Sequence, residues 1–98
     1  MNPLIQPTTR VADGFVLVGV ASTQVLAANS GRCDADFIND SANVIYLARG
    51  NAAVIGSGIR LNPNGGSYHI GTDNLFYGII NAISLVGQSN LSFSEGNE

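Results

Sequence analysis

Short runs of β-branched, aromatic and aliphatic residues alternate with clusters of Gly, Asn, Ser, Asp and Pro along most of the chain. Turn signals return about every 8 to 12 residues, the spacing of an all-β sandwich or barrel rather than of amphipathic helices. The runs predict strands at residues 15–20, 23–27, 33–39, 44–48, 59–62, 67–70, 76–85 and 91–94, with 52–55 either a short strand or one helical turn. Within 33–39 the period is two: Cys33, Ala35 and Phe37 share one face and Asp34 and Asp36 the other. This predicts a half-buried strand with an acidic solvent side. The run VIYLA at 44–48 is apolar on both faces, as in a central strand covered on both sides.

Turn chemistry suggests how these strands pair. Asn39-Asp40-Ser41-Ala42-Asn43 predicts a hairpin between 33–39 and 44–48. Asn62-Pro63-Asn64-Gly65-Gly66 combines a fixed φ with residues that tolerate positive φ, and predicts a second hairpin. That hairpin would set Ile59 and Leu61 near Tyr68 and Ile70, with Arg60 and His69 on the opposite face. Gly78, inside the longest β-prone run, marks a bulge or a close backbone approach. Leu91 and Phe93 are expected to point inward, and the polar tail Glu95-Gly96-Asn97-Glu98 to fray.

The first fourteen residues hold Pro3, Pro7, Thr8 and Thr9 without either period. They read as an extended arm, residues 1–14, ahead of a domain at 15–98. The fold class expected is all-β: a small antiparallel β-sandwich, jelly-roll-like, with an extended N-terminal arm. Ninety-eight residues allow one domain, which buries roughly 64% of its unfolded surface.

Charge narrows the function. Charged residues make up 11% of the chain, against about 25% in a typical soluble domain. All four cations are arginines (Arg10, Arg32, Arg49, Arg60) against seven carboxylates, giving a net charge of −3. Binding to a nucleic-acid backbone is not expected of such a surface. Its polarity comes from neutral Asn, Ser, Thr, Gln and Gly, which can be desolvated against a neighbouring protein without stranding charges. A chain that works assembled is the expectation. The start MNPLIQPTTRVADG lacks the basic and apolar regions of a secretory signal. The longest apolar run, residues 15–21, is far short of the roughly 20 residues that span a bilayer, so no membrane insertion is expected. With one cysteine, Cys33, no internal disulfide or CxxC site can form, which suits a reducing cytoplasm. The sequons at Asn39 and Asn90 carry little meaning there.

Candidate chemistry is sparse. His69 is the single histidine and has no G-x-S-x-G elbow to accompany it, so an exposed or interfacial strand histidine is expected rather than a triad member. Asp34, Asp36 and Asp40 offer oxygen ligands for a hard cation, but their spacing is not that of an EF-hand loop. Gly56-Ser57-Gly58 and Asn64-Gly65-Gly66 lack the lysine of a phosphate-binding loop and read as turns. Cys33 reads as a small buried hydrophobe. The aromatic residues read mostly as core. Arginines are the side chains best suited to directional contacts with a partner, Arg10 in the arm first among them.

One longer stretch, STQVLAANSGRCDADFINDSANVIYLARGNAAVIGSGIRLNPNGGSYHI, resembles a pattern that recurs in small structural proteins of tailed bacteriophages. The carrying segments are a VLAAN strand end followed by an arginine, the FINDS turn, the IYL strand, and GIRLNPNGGSY followed by an aromatic-rich strand with AIS; together they cover residues 22–95. Cys33 departs from the pattern, where a basic or polar residue is expected. The resemblance implies a head decoration or cement protein: a β-sandwich on the outside of the capsid shell, commonly a homotrimer, with the major capsid protein as partner. It implies a virion location after synthesis in the host cytoplasm, no catalysis and no cofactor. Pro3, Leu4, Ile5, Pro7 and Arg10 are then the expected capsid contacts of the arm. The alternative of another class is a receptor- or glycan-binding adhesion module of a head or tail appendage, using loop Asn and Asp groups and Tyr stacking.

Overall fold

A computed structural model of the chain describes residues 10–98. No helix occurs among the described residues. The strands are β1 (Arg10–Val18), β2 (Thr23–Leu26), β3 (Arg32–Asn39), β4 (Ile45–Arg49), β5 (Ile59–Leu61), β6 (Ser67–Ile70), β7 (Ile80–Ser84) and β8 (Ser89–Asn97). They form two four-stranded antiparallel sheets, ordered β1-β8-β3-β6 and β2-β7-β4-β5. Both orders have one origin. Folding the chain back on itself at the β4–β5 connection pairs β1 with β8, β2 with β7, β3 with β6 and β4 with β5. Rolling that double ribbon adds the β3–β8 and β4–β7 pairings and lays one sheet over the other, which is the jelly-roll form of an antiparallel sandwich.

The chain therefore changes sheet at every connection except β4–β5. Neither expected hairpin forms: β3 pairs with β6 and β8 and β5 pairs with β4, so residues 40–44 and 62–66 are arches between the sheets. Turn formers specify that the chain reverses. They do not specify whether it reverses within a sheet or across the roughly 10 Å between two.

Three boundaries also move. β1 begins at Arg10, so Arg10 and the four residues after it leave the expected arm and pair with β8 from Asn97 to Phe93. Pro3, Leu4, Ile5 and Pro7 lie outside the described residues. The expected fraying tail is instead strand: Glu95 and Gly96 pair with β1 on one side and β3 on the other. Backbone pairing on both sides holds a segment whose side chains give no apolar signal. In the expected 76–85 strand only the second half joins β7, because the first half is committed elsewhere. The Phe76 and Gly78 carbonyls accept from Arg32 Nη1 at 2.7 and 3.0 Å, and the Tyr77 carbonyl accepts from the Asn29 amide at 2.7 Å. Residues 52–55 are neither strand nor helix.

Alternation in β3 is as the sequence predicts: Cys33, Ala35 and Phe37 are buried while Asp36 is exposed and Asp34 intermediate. Phe37 is fully buried and its ring is stacked with that of Tyr68, centroids 6.5 Å apart and planes inclined by 22°. Val18, Ile45, Leu47, Leu61, Ile70, Ile80, Ala82 and Leu91 complete the centre of the core. Complete burial of each large aliphatic side chain stabilises the fold by about 1.5–3 kcal/mol before entropy is counted.

Polar clamps close both ends. Asn39, fully buried, donates through Nδ2 to the Asn43 and Leu61 carbonyls at 2.6 and 3.0 Å and accepts from the Ser41 amide and hydroxyl. Ser84 and Ser89, also fully buried, share a hydroxyl hydrogen bond at 3.0 Å. At the opposite end Arg32 is 1% exposed. Its Nε donates to Glu95 Oε2 at 2.7 Å and its Nη2 to the Ala27 carbonyl at 2.8 Å, besides the two Nη1 bonds above. Among the described residues no buried side-chain polar atom lacks a partner.

Gly66 closes the β5–β6 arch through its amide, which donates to the Asn62 carbonyl at 3.1 Å. A Cβ there would stand 2.3 Å from the Asn62 nitrogen and 2.5 Å from its oxygen, so the backbone would have to move. Gly66→Ala is expected to lower stability by about 1–3 kcal/mol, seen as a lower urea midpoint at unchanged slope. An unchanged midpoint would mean that the arch opens freely.

Candidate interaction surface

The sheet β1-β8-β3-β6 turns its second face to solvent, and register decides what that face displays. Val11, Asp13, Phe15 and Leu17 alternate outward along β1, and Asp36 and Ile38 along β3. Pairing sets Asp13, Ser94, Asp36 and His69 in one row across the four strands. The adjacent row is Phe15, Ser92, Ile38 and Ser67. Phe15 is 64% exposed, Val11 61%, Leu17 50% and Ile38 46%. Large apolar groups on a rigid sheet, rimmed by serine and carboxylate, are the pattern of a protein-contact surface.

A shallow groove of about 300 Å³ runs between the two rows, lined by Asp13, Gly14, Asp36, Ile38, Phe93 and Ser94, among others. Gly14 makes room for the Phe93 ring, since a Cβ there would lie 2.9 Å from Phe93 Cζ. Ser94 Oγ donates to Asp13 Oδ1 at 2.5 Å, and His69 Nδ1 lies 2.6 Å from Asp36 Oδ1. Both members of the Asp36–His69 pair are more than half exposed, so its contribution to stability is at most about 1 kcal/mol. Asp36 stands between Ser94 and His69 in the row, which is not the serine–imidazole–acid order of a nucleophile triad.

Among the described strands β1 is also the edge of its sheet. A nine-residue edge carrying Val11, Phe15 and Leu17 offers unpaired backbone groups beside apolar side chains, a template for strand addition by another chain. Sequence reasoning missed this surface. The run 15–20 signals burial by its composition, and only the sheet order reveals that one of its faces stays uncovered.

The other candidate residues are dispersed. Arg10 Nε and Nη2 donate to the Glu98 carbonyl at 3.3 and 3.1 Å. Asp40 lies in the β3–β4 arch, away from the row that holds Asp36, and no three His, Cys, Asp or Glu residues gather as metal ligands among the described residues. Cys33 is buried with its Sγ 3.8 Å from the Gly31 carbonyl. Arg32, the most connected side chain at the far end of the sandwich, corrects the expectation that the arginines serve contacts with a partner: it is buried and engaged with Glu95, 63 residues away, which no local pattern signals. Comparison with known proteins finds no matching family model, no matching curated protein and no matching solved structure.

Proposed function

We propose that this chain is a noncatalytic structural protein of a tailed-phage virion, a decoration or cement protein that docks on the outside of the capsid shell and stabilises joints between major capsid subunits. The observation that carries the reading is the exposed apolar surface of β1 and β3: Val11, Phe15, Leu17 and Ile38 on a rigid sheet in a chain with few charges. Such a face gains from burial against protein and strands little charge in doing so. The phage assignment itself rests on the sequence resemblance. A homotrimer is part of the proposal, since assembly would also cover sheet edges that a small open sandwich leaves free.

The rival adhesion reading needs an aromatic platform for a sugar. Tyr68 lies stacked on Phe37 at the core and is only partly exposed, and Tyr77, 49% exposed, is a single ring with no aromatic ring stacked on it among the described residues. The docking reading is therefore preferred.

The test is cosedimentation with capsid shells that lack the protein, after light scattering has given its mass in solution. The native chain should be trimeric and saturate the shells. Phe15→Asp should melt as the native chain does, because its side chain is solvent-exposed, yet lose about 30-fold or more in shell affinity, the scale of an interface hot spot. Full occupancy by Phe15→Asp would remove this face from the docking role. A truncation testing the arm should stop at residue 9, because deleting to residue 14 removes half of β1.

A further inference from the structure

The second sheet carries a different feature, in the loop of residues 50–58 that joins β4 to β5. The loop is folded back over the outer face of β2-β7-β4-β5 and tied there. Asn81, which alternates outward between the buried Ile80 and Ala82, donates from Nδ2 to the Asn51 carbonyl at 2.8 Å. The Ala53 amide donates to Ser22 Oγ at 2.8 Å, and the Gly50 amide to the Ile79 carbonyl at 2.8 Å. The returning leg is pressed on β4 at Gly58, whose φ is +86° and where a Cβ would stand 2.3 Å from the Leu47 carbonyl oxygen. Only glycine fits there. The loop is thus fixed before any ligand arrives, and it encloses a groove of about 310 Å³.

The groove is lined by Ala48, Val54 and Ile59 on its aliphatic side and by Arg49, Asn51 and Ser57 on its polar side, and no carboxylate lines it. Arg49 differs from the other arginines. Arg10, Arg32 and Arg60 each donate to an oxygen of this chain, whereas Arg49 has no hydrogen-bond or ion-pair partner among the described residues. In a chain with seven carboxylates and four cations, Arg49 is thus an exposed guanidinium at a preformed groove with no protein partner among the described residues. Its fork of donors matches a carboxylate in bidentate geometry. The volume stands at the lower end of ligand sites, about 300–1,000 Å³. That suits one side chain with its stem rather than a large cofactor.

We infer that this groove is a carboxylate-binding site in which Arg49 receives a glutamate or aspartate side chain presented by a partner protein, its methylene stem lying on Ala48 and Val54. The site is independent of the docking face on the first sheet, and its test uses no capsid.

The probe is N-acetyl-glutamate N-methylamide, titrated into the isotopically labelled full chain while amide and guanidinium NMR signals are followed. Its glutamine counterpart and acetate serve as comparisons. Saturable shifts are expected at Arg49 Nε–H and at the Ser57 and Gly58 amides, with the glutamine compound and acetate each at least tenfold weaker. Arg49→Gln, at an exposed position, should keep the native melting temperature and lose the saturable shifts. Equal binding of the glutamine compound, shifts that survive Arg49→Gln, or shifts spread evenly over all four arginines would overturn the assignment. Acetate binding as tightly as the peptide-like probe would overturn the side-chain ligand and give the groove to a small free acid.

Discussion

Arg32→Met is expected to remove about 3–5 kcal/mol of folding stability, because it leaves Glu95 without its cation in a site where the carboxylate side chain is only 12% exposed. The loss has a second part. Three carbonyls, those of Ala27, Phe76 and Gly78, lose their charged donor, and these carbonyls belong to the two loops that β2 and β6 feed into. For a domain of this size each kcal/mol lowers the melting temperature by about 4–8 °C, so the variant should be partly unfolded at 37 °C if the total lies near the low end of the usual 5–15 kcal/mol. Urea unfolding followed by circular dichroism measures the effect. Adding Glu95→Leu should recover part of it, since a buried pair replaced by apolar groups strands no charge. A loss below about 1 kcal/mol would show that water solvates this end and that the ion pair is ornamental.

Asn39→Ala should cost about 2–4 kcal/mol, on the grounds that a buried acceptor left without its donor costs roughly 1–3 kcal/mol. Asn39 joins two arches. Its side chain holds the Asn43 and Leu61 carbonyls, while its own carbonyl accepts from the Gly65 amide at 2.8 Å and its amide donates to the Gly66 carbonyl at 2.7 Å. Losing the side chain should therefore loosen the 40–44 and 62–66 arches together. Hydrogen exchange would show it as lost protection at the Asn64 and Gly65 amides, with the β3–β8 amides retaining theirs. Asn39→Asp separates the two halves of the role: it keeps the acceptor for Ser41 and replaces the donor with repulsion toward two carbonyls. It should be at least as unstable as Asn39→Ala, and near-native stability of the aspartate variant would contradict the donor role.

The resemblance motif FINDS gains a physical meaning from this node. Phe37 is the largest apolar side chain at the centre of the core, Asn39 closes the arch, and Ser41 returns a hydrogen bond to Asn39 Oδ1 at 2.7 Å. Phe37, Asn39 and Ser41 shape the fold, whereas Ile38 of the same motif projects outward onto the candidate interaction surface. The motif therefore reports mainly architecture, and of its residues Ile38 belongs to the face on β1 and β3 proposed for docking.

Periodicity and composition determined the class and the local elements of this protein. The alternation of Cys33, Ala35 and Phe37 against Asp34 and Asp36 set which face of β3 is buried, because a strand's side chains project to opposite sides and apolar ones leave water. Turn clusters placed most connections within a few residues, since Gly, Asn and Pro restrict or permit particular φ angles locally. The low charge pointed to a surface suited to assembly. Tertiary structure alone decided the rest. Whether residues 40–44 and 62–66 bend within a sheet or arch between two depends on strands far away in the chain, as β1 pairs with β8 and β2 with β7. The partners of Arg32 come from three separate segments, and the exposure of Phe15, Leu17 and Ile38 depends on no second layer of the described residues lying over their face. Such facts arise from contacts between residues distant in sequence, and hydrophobic periodicity is a property of neighbours.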